Sequence, residues 1–162
     1  MSTRVVPFTP VYEEQVVDLI LSVQRNEFGI DITAEQQPDL REIPAYYQTG
    51  RGNFWVALAS GKVVGTISLL DIGNRQAALR KMFVHLEHRG STTGTAKRLL
   101  EVLLTWAGSQ GVREIFLGTT PRFHAAHRFY EKNGFSRIGK NELPEAFPIM
   151  KVDTRFYGIG VG

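Results

Sequence analysis

The sequence predicts a mixed α/β domain, and three observations support this fold class. Short apolar runs bounded by Gly and Asn, typical of strands, alternate with longer segments in which apolar residues recur at helical spacing. The chain has 162 residues, a length suited to one domain with its own core. Hydrophobic residues make up 43% and charged residues 22%, which is the balance of a globular protein rather than a disordered one.

The predicted elements follow the order β-α-α-β-β-β-α-β-α-β-β. A Thr9-Pro10 pair followed by acidic residues indicates the start of the first helix. Leucines at helical spacing after residue 95 indicate the most regular helix. In chain order we expect a strand at 5–6, helices at 9–29 and 33–50, strands at 54–59, 63–72 and 77–84, a helix at 96–107, a strand at 113–120, a helix at 121–133, strands at 135–138 and 149–157, and a frayed tail at 158–162.

Composition excludes several classes of function. The absence of cysteine excludes disulfides, zinc–thiolate sites and a cysteine nucleophile. No apolar run approaches the roughly 20 residues of a membrane span, and the first residues show no signal-peptide pattern, so we expect a cytoplasmic protein. The net charge is +3, and residues 80–98 alone hold five basic residues and one glutamate. This basic excess indicates either a solvated face or a surface that meets anions.

The basic stretch includes a loop of small residues, Gly90 to Ala96, that opens the leucine-rich helix. A helix N-terminus leaves backbone N–H groups unpaired, and small residues allow a phosphate to approach them closely. The spacing fails the P-loop pattern because only three residues separate Gly90 from Gly94, and no G-x-G-x-x-G element is present. An ordinary glycine-containing helix start is the alternative.

Three motifs in order resemble the GNAT superfamily of acetyl-CoA-dependent N-acetyltransferases. Arg89-Gly90, then Gly94-Thr95-Ala96 and the pair Leu99-Leu100, resemble the family signature [RQ]-x-x-G-x-[GA] before a helix. The loop is two residues longer than that pattern, and a register that pairs Arg89 with Thr92 and Gly94 is the less favoured alternative. The stretch "AHRFYEKNGF" (126–135) resembles the late motif, and "VALASGKVVGTISL" (56–69) resembles the central hairpin.

The resemblance covers nearly the whole chain. It implies a single domain over 1–162, with a central mixed, mostly antiparallel sheet flanked by about four helices. It also implies that acetyl-CoA is the co-substrate and that no metal is needed. One departure is Phe123, which stands where many members carry an asparagine that contacts the cofactor.

The resemblance further assigns site residues. The main chain of the strand that ends at Val84 would pair with pantetheine and offer an N–H, near Phe83 or Val84, to the acetyl oxygen. Tyr130 would protonate the departing thiolate, since a tyrosine stays protonated at neutral pH. The predicted cofactor-binding residues are Met82, Phe83, Val84, Arg89, Gly90, Thr93, Gly94, Thr95 and Ala96.

The general base is left open by the sequence. The strand before the loop has no carboxylate, so Glu27, Asp71, His85 or a chain of waters are the alternatives. His124 and His127 lie at i, i+3 on a helix but lack an acidic partner, which favours surface histidines over a metal site. Without a cysteine or a G-x-S-x-G element, we expect direct attack by the amine in a ternary complex.

The sequence therefore predicts an N-acetyltransferase that acetylates a primary amine. The alternatives are a CoA-binding sensor or interaction module without catalysis, and a nucleic-acid-binding domain that uses the basic stretch. We expect a small-molecule or peptide acceptor, with neither nucleic acid nor membrane as partner, and a homodimer is left open. Acidic residues between 27 and 42 suit a cationic amine but equally fit a solvated helix face.

Overall fold

The computed structural model describes residues 3–90, 93–120 and 124–162, the side chain of His124 excepted. Seven strands in these residues form one sheet in the order β1-β2-β3-β4-β5-β7-β6. Every neighbouring pair is antiparallel except β4 and β5, which run parallel. The strands are β1 (Arg4–Pro7), β2 (Asn53–Ala59), β3 (Lys62–Gly73), β4 (Gln76–Val84), β5 (Glu114–Thr119), β6 (Ser136–Ile138) and β7 (Arg155–Gly160).

Four α-helices in the described residues accompany the sheet, and the predicted fold class is confirmed. They are α1 (Glu13–Leu21), α2 (Ile43–Tyr46), α3 (Thr95–Ser109) and α4 (His124–Lys132). Pro10 opens a 3₁₀ turn that leads into α1, but Thr9 does not cap it through its side chain. A π-helical segment, Ser22–Glu27, continues α1 toward Gly29, where the backbone turns at positive φ.

The sheet is buried on both faces. Along β2, Trp55 and Ala57 pack in the cluster that includes α3, while Phe54 and Val56 pack in the cluster that includes α1. This alternation follows from the two-residue period of a strand. It explains why 54–59 reads as one continuous apolar run in the sequence.

Two predicted elements differ from the structure. The segment 33–50 holds only a 3₁₀ turn, Pro38–Arg41, and the single turn of α2, because its prolines remove backbone donors. The strand expected at 149–157 begins only at Arg155, since Asp153 and Met150 close a turn through two hydrogen bonds.

The predicted frayed tail is wrong for residues 158–160. These residues are the end of β7, where Gly160 pairs with Glu114 of β5. Val161 adds a further backbone bond, donating to the Arg113 carbonyl at 2.7 Å. The small glycine side chains at 158 and 160 suggest a flexible end in the sequence, but the partner strand orders them.

Candidate functional site: the opening between β4 and β5

The parallel pair β4 and β5 separates part-way along its length. The two strands pair only through Gln76–Ala78 and Glu114–Phe116. Beyond this point β5 continues to pair with β7, and β4 continues to pair with β3 as far as Val84. In the described chain the facing edges of β4 and β5 therefore diverge, which leaves backbone groups of β4 available to a ligand.

A β-bulge accompanies this divergence. Thr66 of β3 pairs with Phe83, but Ser68, two residues later, pairs with Arg80, so β4 carries one extra residue. Lys81 takes the left-handed conformation, with φ of 54°. The buried hydroxyls of Thr66 and Ser68 donate to the carbonyls of Lys81 and Arg80, each at 2.6 Å. These two bonds hold the bulge in place.

Backbone alternation turns Val84 toward the opening. The N–H of His85 donates to the Val64 carbonyl on β3 at 2.8 Å. Since successive residues of a strand point their backbone groups to opposite sides, the N–H and C=O of Val84 face away from β3. Arg89 Nε donates to that carbonyl at 2.8 Å. Of the two predicted donors to the acetyl oxygen, the geometry favours the N–H of Val84 over that of Phe83.

The loop after β4 leaves open space at the start of α3. Gly90 and Gly94 both have positive φ, 94° and 66°, and a Cβ added at either would meet no atom within 4 Å. Gly94 is the N-cap residue of α3, and as a glycine it has no side chain of its own to bond the first N–H groups. Thr95 is fully buried, and its hydroxyl has no hydrogen-bond partner within the described part of the chain. These features fit the pyrophosphate of CoA.

The side chains of Arg89 and Thr93 have partners inside the protein. The Arg89 guanidinium forms a two-point ion pair with Glu27. The Thr93 hydroxyl donates to the His88 carbonyl at 2.7 Å and shapes the loop. Ala96 packs beside the α3 core, and residues 91–92 lie outside the described residues. Cofactor contacts by Arg89 and Thr93 stay predictions, and they would involve the main chain.

Tyr130 of α4 lies against the diverging part of β4. Its hydroxyl donates to Met82 Sδ at 3.5 Å, and its ring packs at an angle against Phe135 and Tyr157. The side chain is buried, and burial raises the pKa of the phenol above its ordinary value. The phenol is therefore a protonated donor at neutral pH, as the predicted role requires.

The three candidate bases have structural partners. Glu27 pairs with Arg89, and Asp71 accepts hydrogen bonds from the N–H groups of Arg51 and Gly73, both at 2.9 Å. His85 accepts from the N–H of Glu87 at 3.2 Å and caps a short turn. In the described chain a cavity lies between β4 and β5, and none of these three side chains lines it.

The interpretation of His127 as a surface residue is wrong. His127 is buried, its Nε2 lies 2.8 Å from the Thr120 carbonyl, and its Nδ1 lies 3.2 Å from Arg155. The described residues contain no group of three side chains suited to a metal ion. The side chain of His124, like Phe123, lies outside the described residues.

Sequence reasoning missed the charged cavity beside the bulge. This cavity of about 120 Å³ is lined on one side by Arg80 and Lys81 of β4. On the other side it is lined by Gly118 and Thr119 of β5 and by Thr120, which follows the strand. Asp153, on the turn before β7, also lines it. Two adjacent basic residues in the otherwise apolar stretch "AALRKMFV" are the signal that could have identified it.

Lys81 is the most buried of these charges. Its side chain is 7% exposed, and Nζ lies 3.6 Å from Asp39 Oδ2 and within hydrogen-bond distance of Gln37 Oε1. Tyr47 donates to the same Asp39 oxygen at 2.6 Å, and Gln37 pairs with Gln24. Burial lowers the pKa of Lys81 to about 8, although the nearby Asp39 charge acts in the opposite direction.

The carboxylate of Asp153 lies next to Gly118 of β5. A Cβ added at Gly118 would lie 2.6 Å from Asp153 Oδ2, so only a glycine leaves room for this side chain. Burial raises the pKa of Asp153, while the N–H of Met150 and the charge of Arg80 act in the opposite direction. A carboxylate with a raised pKa inside a cavity has the properties of a proton acceptor.

The model of the acetyltransferase (GNAT) family matches residues 17–135. The chain belongs to this family. Among solved structures, a GNAT acetyltransferase from Staphylococcus aureus Mu50 is 36% identical, with a TM-score of 0.95 over 99% of this chain and 100% of that one. An acetyltransferase from Streptococcus agalactiae is 32% identical, with a TM-score of 0.93 over 99% of both chains.

Curated relatives of this GNAT chain include proteins named as N-acetyltransferases and one named as an N-acetylaspartate synthetase. The N-acetyltransferase family 8 member 2 of Rattus norvegicus is 34% identical over 108 residues, which cover 64% of this chain and 47% of that protein. N-acetylaspartate synthetase of Xenopus tropicalis is 39% identical over 105 residues, 62% of this chain and 37% of that protein. The chain thus spans about half the length of the first and less of the second. Among its described helices, none is long and apolar enough to cross a membrane.

Proposed function

We propose that this GNAT chain transfers an acetyl group from acetyl-CoA to an amine by direct attack in a ternary complex. The observation that carries the proposal is the divergence of β4 from β5 together with the glycine N-cap at the start of α3. Bound acetyl-CoA would supply the activated acyl group as a thioester. The pyrophosphate would lie at Gly90, Gly94 and Thr95, and pantetheine along Met82 to Val84.

The chain's own groups fit the needs of acyl transfer. The N–H of Val84 faces the opening, where it would stabilise negative charge on the acetyl oxygen. The buried, protonated hydroxyl of Tyr130 would donate a proton to the departing thiolate. Asp153 is the carboxylate in the cavity lining, and it would accept the proton that the amine loses. A cysteine acyl-enzyme is excluded because the chain has no cysteine.

A glycine substitution tests the cofactor site. Gly94→Glu would place a negative charge and a side chain in the open space before α3, so acetyl-CoA binding measured by calorimetry should be lost. The matched control is Gly111→Glu, since Gly111 also has positive φ and open space but lies beyond the other end of α3. The control should keep parental affinity, and circular dichroism should show both variants folded.

Unchanged affinity in a folded Gly94→Glu variant would contradict the assignment. Release of CoA with a panel of amines then separates an enzyme from a CoA-binding module. A parent protein that binds acetyl-CoA but releases no CoA with any amine would favour the module.

A further inference from the structure

We propose that the acceptor is an amine that carries a carboxylate, of the amino-acid class, and that Arg80 binds this carboxylate in the cavity between β4 and β5. The inference rests on the proposed acetyl transfer and specifies its acceptor. It starts from the charges that line the cavity, which are Arg80, Lys81 and Asp153.

The bulge explains how two adjacent basic residues reach one cavity. In a regular strand Arg80 and Lys81 would point to opposite faces of the sheet. The extra residue of the bulge and the positive φ of Lys81 break this alternation, so that both residues line the same space. A non-glycine residue at positive φ costs free energy, and such strain concentrates at functional sites.

Arg80 has weak partners for a cation in a partly buried position. One terminal nitrogen donates to the Tyr46 hydroxyl at 3.1 Å, and the other donates to Met150 Sδ at 3.4 Å. Its guanidinium also lies 5.8 Å from the centre of the Tyr46 ring. In the described chain no carboxylate lies within 4.0 Å of Arg80. A guanidinium has five N–H donors in a planar fork that matches a carboxylate, so donors remain for one.

Lys81 differs from Arg80 because a carboxylate of the protein lies in direct contact with it, whereas Asp39 acts on Arg80 only from beyond ion-pair distance. Asp39 lies 3.6 Å from its ammonium, and Asp39 itself does not line the cavity. The acidic residues between 27 and 42 that suited a cationic acceptor in the sequence are likewise absent from the lining. Among the described residues that line the cavity, Arg80 is therefore the cation with no carboxylate within 4.0 Å.

Asp153 would lie at the amine end of the acceptor. It is the acidic residue among the described residues that line the cavity, and Arg80 lines the same cavity. A cation and an acid in one small cavity complement a molecule that has both a carboxylate and an amine. Apolar side chains complete the wall, including Ile30, Ile32 and Phe147. A simple amine would offer no carboxylate to the Arg80 guanidinium.

Matched acceptors test the proposal. Each amino acid of a panel, for example leucine or phenylalanine, is compared with its decarboxylated amine and with its amide, by CoA release and by calorimetry on protein saturated with CoA. The parent should prefer the acid on the order of 10- to 100-fold, the range expected for a hydrogen bond to a charged group. Small peptides with a free N-terminus should be poorer than the matching amino acid.

Variants of Arg80 test whether its guanidinium causes the preference for the acid. Arg80→Gln should raise KM for the amino acid by about the same factor and remove most of the preference for the acid over its amide and its amine, while acetyl-CoA affinity is kept. Arg80→Lys should recover part of the preference, since it keeps the charge. Arg4→Gln, an exposed change on β1, is the matched control and should behave as the parent.

The two proposals fail differently. A parent that does not bind acetyl-CoA refutes the proposed function. A parent that binds acetyl-CoA, but binds no amino acid, or treats acid, amide and amine alike, overturns the carboxylate proposal alone. A preference for the acid that survives in a folded Arg80→Gln variant also overturns it.

Discussion

Replacement of Lys81 by methionine should change how the stability of the protein depends on pH. Lys81 is 7% exposed and its pKa is lowered to about 8 by burial, against 10.5 for an ordinary lysine. Between pH 8 and 10.5 the unfolded chain therefore binds more protons at this residue than the folded chain does. The free energy of unfolding must rise with pH across this window.

The size of the effect follows from the two pKa values. A difference of about 2.5 units corresponds to about 3 kcal/mol, at 1.36 kcal/mol for each unit. Below pH 8 lysine is charged in both states, and the cost of burying that charge is constant. Above pH 10.5 lysine is neutral in both states, and its contribution to the free energy of unfolding no longer changes with pH. Lys81→Met removes this titration and keeps a side chain of similar length.

Urea denaturation from pH 7 to 10.5 measures the effect. The quantity of interest is the free energy of unfolding of the parent minus that of Lys81→Met, because tyrosines that titrate in the same range contribute to both proteins and cancel. This difference should increase by about 3 kcal/mol between pH 8 and 10.5. Lys62→Met is the matched control, since Lys62 is exposed at the start of β3. A difference that does not vary with pH would refute the reasoning.

Two further substitutions test the acid and the bulge. Tyr130→Phe keeps the buried ring but removes the hydroxyl, so kcat and kcat/KM should fall together by on the order of 100-fold while acetyl-CoA affinity is kept. The loss should shrink with an acyl donor whose thiol leaves easily, and parental kcat under conditions where chemistry limits the rate would reduce Tyr130 to a packing residue. Thr66→Val leaves the Lys81 carbonyl without its 2.6 Å donor, which should lower the free energy of unfolding by about 1–3 kcal/mol in urea titrations. An unchanged midpoint would show that the hydroxyl does not hold the bulge.

Local sequence patterns were sufficient to predict the regular helices and strands and the family. The periodicity of Leu99, Leu100 and Leu103 predicts α3, and these residues are buried on the sheet as expected. The glycines at 90 and 94 and the motif around Tyr130 point to the GNAT family, because these features depend on residues close together in the chain. The structure differs from the prediction where a distant strand or a side-chain hydrogen bond orders the backbone, as at residues 149–160.

The amino-acid sequence alone thus determined the α/β class, the family resemblance and the loop before α3, since helical period, glycine placement and the absence of cysteine are local or compositional properties. Only the tertiary structure decided which charges meet in the cavity. Arg80 lies far in sequence from Asp153, and Lys81 from Asp39, so no local period relates either pair. The β-bulge opposite Thr66 and Ser68 brings both cations to one side, because its extra residue depends on a register between two strands that neither strand specifies by itself.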